Sequence, residues 1–264
     1  MDPVARRQFL QDYATIREAE GRGSMDPMYY QSLPDRDLTG RNSAQWRIRA
    51  RSFRHFVKSI LDPEERRRRR KLDILDLGAG NGWMSYRLRQ RGHRSVAVDI
   101  FPRSLDGLGA LRNYPVPIAG ITAEFDVLPL GSATFDLAIY NSSFHYSSDY
   151  RKTLEEARRC LRPDGVLVIM DSPLYRRREH GEQMKEERRN FFQQTYGFRS
   201  DALGSIEFLD LGTVHRLSNE LGLEWKCHCP WYGWRWALRP LEAKFRRRRP
   251  PSRFVLLEGR FRER

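Results

Sequence analysis

Short apolar runs alternate along this chain with segments whose apolar residues fall on one side only. Leu72, Ile74, Leu75 and Leu77 make a run of strand length, the pattern of a strand buried on both faces. Residues 95–99, 135–140 and 166–170 repeat that character, and 121–130 reads as a third strand running into a loop. Between them, 81–90, 103–112 and 150–161 read as helices. The last is closed by Arg162-Pro163-Asp164-Gly165, a proline and glycine stop. Such alternation predicts a parallel sheet with helices on both faces. Helices at 5–20 and 44–61 precede this core, joined by a turn-rich loop containing Tyr29, Tyr30 and Pro34. A charged insertion follows at 172–208, with a helix over 182–194. A final helix at 209–221 ends at Gly222, and strands at 223–229 and 253–258 close the sheet as an antiparallel pair. The predicted class is α/β, a doubly wound, seven-stranded, mostly parallel sheet. Residues 1–65 form an N-terminal helical cap and 66–264 the core.

The first strand runs directly into Gly78, Gly80 and Gly82. Glycine takes positive φ and lets a ligand approach the backbone, so strand, glycine turn and helix suit a nucleotide-like ligand. The spacing is G-x-G-x-G, not the G-x-G-x-x-G of dinucleotide sites. About 20 residues on, the second strand ends in Asp99, placed to accept from both ribose hydroxyls. Beyond the third strand, Glu124 or Asp126 could accept from an adenine amino group. Glu124 is preferred on its offset from Leu128-Pro129-Leu130, which leaves Asp126 as a solvated loop carboxylate.

Taken together, LDILDLGAGNG, VAVDI, AEFDVLPL, ATFDLAIYNSSFHY and CLRPDGVLVIMD resemble the class I methyltransferases that use S-adenosylmethionine (SAM). The likeness is greatest to the small-molecule branch that includes ubiquinone and menaquinone biosynthesis methyltransferases, and it covers residues 70–171. The resemblance implies SAM as cofactor and a Rossmann-like methyltransferase fold. It places Asp76, Gly78, Ala79 and Gly80 on the methionine and ribose side and Asp99 on the ribose. It also places Ile100 against adenine, Glu124 with Phe125 at the adenine edge, and Asn141 near the methionine amino group. Many relatives have aspartate where Glu124 stands. The insertion at 172–208 falls where the family keeps substrate-recognition elements, so a lid is expected there. Tyr29 and Tyr30 of the N-terminal extension are candidates to stack on substrate, with Tyr146 and Tyr175 from strand ends. His145, in the loop after the fourth strand, is the candidate general base, with Tyr146, Asp171 and Tyr175 as weaker ones. An Asn-Pro-Pro-Tyr motif for amino-group methylation is missing. Asn141-Ser142-Ser143-Phe144 stands in its place, which favours an oxygen or carbon acceptor.

Charge and composition then narrow the partners. The net charge is +14, and arginine clusters at 66–71, 176–178 and 246–249 favour anionic ones. No apolar run reaches membrane-spanning length and the first ten residues lack a signal segment, so a cytoplasmic setting is expected. Cys227-His228-Cys229 has no second ligand pair at zinc spacing. These cysteines are expected to be buried thiols, and no metal is expected. Residues 230–252 read as a basic aromatic hairpin. Its three tryptophans and seven basic residues suit a peripheral membrane or lipid contact through 231–249. The leading expectation is a methyltransferase acting on a small apolar or anionic metabolite. An RNA methyltransferase, supported by charge alone, and a non-catalytic SAM-binding scaffold are the rivals.

Overall fold

The computed structural model describes residues 3–102, 105–199, 201 and 204–262. Three N-terminal helices, α1 (Pro3–Ala19), α2 (Pro27–Ser32) and α3 (Ser43–Phe56), lead through a π turn (Val57–Leu61) into α4 (Asp62–Arg68). The core follows as β1 (Asp73–Leu77), α5 (Trp83–Gln90), β2 (Arg94–Asp99), a 3-10 helix (Leu108–Asn113), β3 (Ala119–Thr122), β4 (Phe135–Asn141), α6 (Tyr150–Cys160) and β5 (Leu161–Met170). Then come β6 (Leu174–Tyr175), α7 (Arg178–Tyr196), β7 (Leu209–Asp210), α8 (Leu211–Leu221), β8 (Leu223–His228), α9 (Trp234–Phe245) and β9 (Leu256–Phe261).

Seven strands form one sheet in the order β3-β2-β1-β4-β5-β9-β8, and β6 pairs with β7 in a separate ladder. Strands β1 to β5 are mutually parallel, and β9 runs antiparallel to both β5 and β8. This is the seven-stranded doubly wound sheet expected. Its interior alternates as a sheet covered on both faces must. Leu75, Leu77, Ala138, Tyr140, Leu167 and Ile169 pack on one side with Leu154 and Ala157 of α6 and Leu217 of α8. Ile74, Leu137, Ile139, Val166 and Val168 face the other side, against Trp46 and Phe56 of α3 and Met84 and Leu88 of α5. Strand order reverses between β1 and β4, so their carboxyl ends open a crevice where α/β sheets bind ligands.

Several boundaries depart from expectation. The helix expected at 44–61 is present from Ser43, but it widens into a π turn at Val57–Leu61 and continues into α4. Of the helix expected at 103–112, residues 103 and 104 lie outside the described residues. The remainder is only a 3-10 turn, because Gly107 is extended and Pro115 and Pro117 follow. Strand β5 starts at Leu161, before the stop sequence, with a register shift against β4 absorbing the extra residues. The segment 230–252 is not a hairpin; its middle forms a helix, α9 (Trp234–Phe245). Cys227 and Cys229 are exposed rather than buried, since β8 is an outermost strand of the sheet.

The arginine run before β1 also finds partners within the chain. Asp136, fully buried on β4, lies 2.7 Å from Arg70, 2.8 Å from Arg162 and 3.0 Å from Arg68. Arg67 pairs with Glu64 at 2.7 Å, and Lys71 pairs with Glu65. Much of that cluster is therefore an internal counter-charge.

Candidate active site

A cavity of about 310 Å³ occupies the crevice above β1 and β4. The glycine turn forms its floor. Gly78, Gly80 and Gly82 all have positive φ, for two separable reasons. At Gly78 a Cβ would stand 2.3 Å from the Ser143 side chain, so the position is closed by packing. At Gly80, which lines the cavity, a Cβ would meet nothing within 4 Å, so the backbone there faces open space. Asp99 ties the turn down. Its carboxylate accepts from the Gly80 N–H at 2.8 Å and the Phe101 N–H at 2.7 Å. Burial raises its pKa to about 6 despite those two donors.

Ile100, Glu124, Phe125 and Asp126 line one end of the cavity. Asp126 is thus a wall residue and not a solvated loop carboxylate, and it accepts from Thr153 Oγ1 at 2.8 Å. Asn141 lines the opposite side. Asp76, behind the floor, accepts from Ser85 Oγ at 2.8 Å, and burial pushes its pKa up to about 7. Among the described residues, Asp76 Oδ1 and Asn141 Oδ1 are buried acceptors without a hydrogen-bond donor. Unpaired acceptors beside a glycine cradle, with Asp99 near the second strand end, suit a ligand carrying an ammonium group and ribose hydroxyls. SAM has both.

The candidate substrate and base residues divide. Tyr146 lines the cavity. Tyr29 and Tyr30 do not: both are fully buried in the core behind α5, and Tyr30 OH bonds the backbone of Ser24 and Leu105. Their apolar neighbours, not a substrate, explain the aromatic pair. Tyr175 is buried on β6 and receives a hydrogen bond from Arg249 at 3.0 Å, away from the cavity wall. His145 is half-buried in a 3-10 turn and is not among the wall residues; its Nδ1 lies 3.3 Å from Ser172 Oγ. Burial, with the charges of Arg188 and Arg49, lowers its pKa to about 3. Imidazole so disposed is neutral at pH 7 and a weak base. His145→Gln should hold turnover within roughly threefold, whereas losing a true general base costs on the order of 10²–10⁴. A loss of that larger size in steady-state kinetics would restore His145 as the base.

Tyr13, Arg17, Arg49 and Ser142 are among the wall residues that lay outside the sequence expectations. Ala5, Phe9, Tyr13 and Arg17 recur every fourth position on α1 and together present one face to the cavity. Phe101 and Tyr146 meet the Tyr13 ring edge-on, and Arg17 pairs with Asp106. Arg49 projects from α3 over the Trp46 ring, 3.5 Å from Ser142 Oγ. Burial, then the nearby Arg22 and Arg17 charges, holds its pKa below the usual arginine value. Among the described residues no carboxylate lies within ion-pair distance of it. Ser142 and Asp171, at the ends of β4 and β5, both take positive φ, strain of the kind that gathers at binding sites. Among the described residues the insertion lines the cavity through Gly204, while the Ile206 and Glu207 N–H groups donate to the Ser147 and His145 carbonyls.

Sheet order, glycine cradle and terminal acids define the class I SAM-dependent methyltransferase fold. Residues 75–169 match the methyltransferase domain family. Over 97 residues the chain is 36% identical to an uncharacterized methyltransferase of Mycobacterium tuberculosis, covering 37% of this chain and 38% of that protein. Over 130 residues it is 30% identical to the malonyl-acyl-carrier-protein O-methyltransferase of Salmonella typhimurium, covering 49% and 50%. The chain therefore spans half or less of the length of these relatives. A SAM-dependent methyltransferase structure from Mesorhizobium loti superposes with a TM-score of 0.52 at 21% identity, covering 72% of this chain and 91% of that one. A putative SAM-dependent methyltransferase from Listeria monocytogenes gives 0.52 at 14% identity, covering 73% and 91%. Residues 75–169 therefore match a methyltransferase domain, carried on a sheet with the class I SAM-dependent methyltransferase fold. Among the described residues no helix is long and apolar enough to cross a membrane.

Proposed function

We propose that the chain transfers the methyl group of SAM to an anionic oxygen, such as a carboxylate, of a small metabolite. Arg49 carries this reading, as a guanidinium on the cavity wall with no carboxylate within ion-pair distance among the described residues, the buried Asp171 acting on it from farther off. A carboxylate acceptor would complete it by a charge-assisted, bidentate contact. Such an acceptor is already ionised at pH 7, so its methylation needs alignment and desolvation but no base. That fits a site whose nearest imidazole is a weak base. Glu124 and Phe125 would hold the adenine, Asp99 the ribose, and Asp76 with Asn141 the methionine amino group. When bound, SAM supplies an activated methyl group. Tyr13 and Tyr146 would then close the cavity around the acceptor and exclude water. The O-methyltransferase named in Salmonella typhimurium is consistent with an oxygen acceptor. RNA is less favoured, because much of the arginine run at 66–71 is paired internally.

The test is to incubate the pure protein with methyl-labelled SAM and a cell extract, then partition the label. Label in a base-labile, organic-soluble product supports the proposal. Label in a nuclease-sensitive precipitate would establish the RNA reading, and SAM binding without transfer would leave a scaffold. With an acceptor in hand, Arg49→Leu should lower kcat/KM about 30-fold or more, as expected when one partner of a buried charge pair is removed. Calorimetric SAM affinity should not change, and Arg49→Lys should recover part of the loss.

A further inference from the structure

Helix α9 has two apolar faces, and only one of them is used. At about 100° per residue, Trp236, Arg239 and Ala243 turn inward and are half-buried. Trp236 meets Tyr232 and Phe254 at 5.0 and 5.2 Å, and Arg239 lies over its ring while donating to the Ser252 carbonyl at 2.9 Å. The opposite face holds Trp234, Leu238, Leu241 and Phe245, which are 75%, 52%, 65% and 91% exposed. Trp231, 59% exposed, packs edge-on against Trp234 and extends the patch. No residue of α9 is fully buried, so this outward stripe does not serve the fold. Exposed Arg235 and Lys244 flank it on its two sides, and exposed Arg246, Arg247 and Arg248 follow its carboxyl end.

We propose that this face of α9 docks on an anionic lipid surface, with the apolar stripe in the headgroup boundary and the flanking basic residues on acidic headgroups. A contiguous apolar patch rimmed by basic groups on a helix is the pattern of an interfacial helix. Each basic residue near an acidic leaflet adds attraction that salt screens. Charge also argues against a second copy of the chain as the occupant. Two α9 helices laid face to face would bring their own Arg235, Lys244 and Arg246–Arg248 groups together with only Glu242, already paired with Arg246 at 3.2 Å, to offset them on each helix. The chain just before α9 is tied to α3, the helix that carries Arg49, since Arg51 donates to the Tyr232 carbonyl.

Vesicle co-sedimentation of the full chain tests this independently of methyl transfer. Phosphatidylcholine vesicles containing phosphatidylglycerol should carry the protein down at low salt and blue-shift its tryptophan emission. Pure phosphatidylcholine should bind it more weakly. Replacing Trp234 and Phe245 together by Ser should cut partitioning roughly tenfold or more, the loss expected when large apolar groups no longer enter the interface. Both side chains are exposed, so the melting temperature should stay put. Replacing Arg246, Arg247 and Arg248 by Gln should remove the salt-sensitive part. The proposal is overturned if acidic vesicles leave the protein in solution, or if the Trp234 and Phe245 replacements leave binding unchanged. It is equally overturned by a dimer on a sizing column that these replacements dissolve while vesicles do not bind.

Discussion

Asp99→Ala should weaken SAM binding by roughly 10²–10⁴-fold. A hydrogen bond to a charged group contributes about 1.5–3 kcal/mol, and a carboxylate on both ribose hydroxyls would make two. Its other partners raise the stakes, because the same carboxylate holds the Gly80 and Phe101 N–H groups and so shapes the cradle. Asp99→Asn, which keeps the shape and loses the charge, should fall between wild type and Ala. Affinity should also rise with pH. Burial raises Asp99 to about 6 and Asp76 to about 7, and ligand donors would favour the ionised forms. In the free protein these folded values exceed the unfolded value near 3.8. The stability tied to them is thus fully present below that value and lost as pH rises through 6 to 7. Binding should therefore release protons near pH 6, and affinity should climb between pH 5 and 8 before levelling. Calorimetry in two buffers of different protonation enthalpy reads both effects. Unchanged affinity in Asp99→Ala, or affinity flat with pH, would sink the ribose and ammonium assignments.

The glycine turn, Asp99, Ile100, Glu124, Phe125 and Asn141 were legible in the sequence and all line the cavity, whereas the wall contributed by α1 and α3 was not. Gly78, Gly80 and Asp99 sit at strand ends, where local pattern and position in space are nearly the same thing. Aromatic residues carry no such tie. Tyr29 and Tyr30 read as part of a loop of the kind that covers cofactors, yet they stand on α2 and are held by apolar contacts and the Tyr30 OH bonds to backbone. Tyr13 and Arg17 were hidden in plain periodicity: the four-residue recurrence from Ala5 was visible, but nothing local says which solid surface a helix face meets. Arg49 had a fainter signal. It falls on the Trp46–Ala50–Phe53 stripe of α3, whereas Arg47, Arg51 and Arg54 fall on the exposed side. A charge on an apolar stripe is the mark of a buried ion pair or of a ligand. Helix α9 shows the reverse limit: its helical spacing was readable, and its outward direction required the tertiary structure.

Asp136 sets how much of the net charge is free to meet a partner. Asp136→Asn should lower stability by about 3–5 kcal/mol, as expected when one member of a buried ionic network is removed. That corresponds to a fall of roughly 10 °C in melting temperature for a chain of this size. The carboxylate accepts from both Arg70 terminal nitrogens at 2.8 and 2.7 Å and from the Asp73 N–H at 2.8 Å. Arg162 and Arg68 complete its surroundings. Burial alone would raise its pKa, but Arg70, the Asp73 N–H, Arg68 and Arg162 outweigh it and hold the group below the usual carboxylate range. Its contribution is therefore present above the unfolded value near 3.8 and lost as pH falls through the lowered folded one. The wild-type chain should lose this advantage only in acid, and the variant should melt early already at pH 7. Arg70→Gln is the informative control, since that side chain is 44% exposed and its removal should cost much less. If instead Asp136→Asn melted like wild type, the guanidinium groups before β1 would not be spent on the fold. They would then be free for an anionic polymer, and the RNA reading would regain its strongest ground.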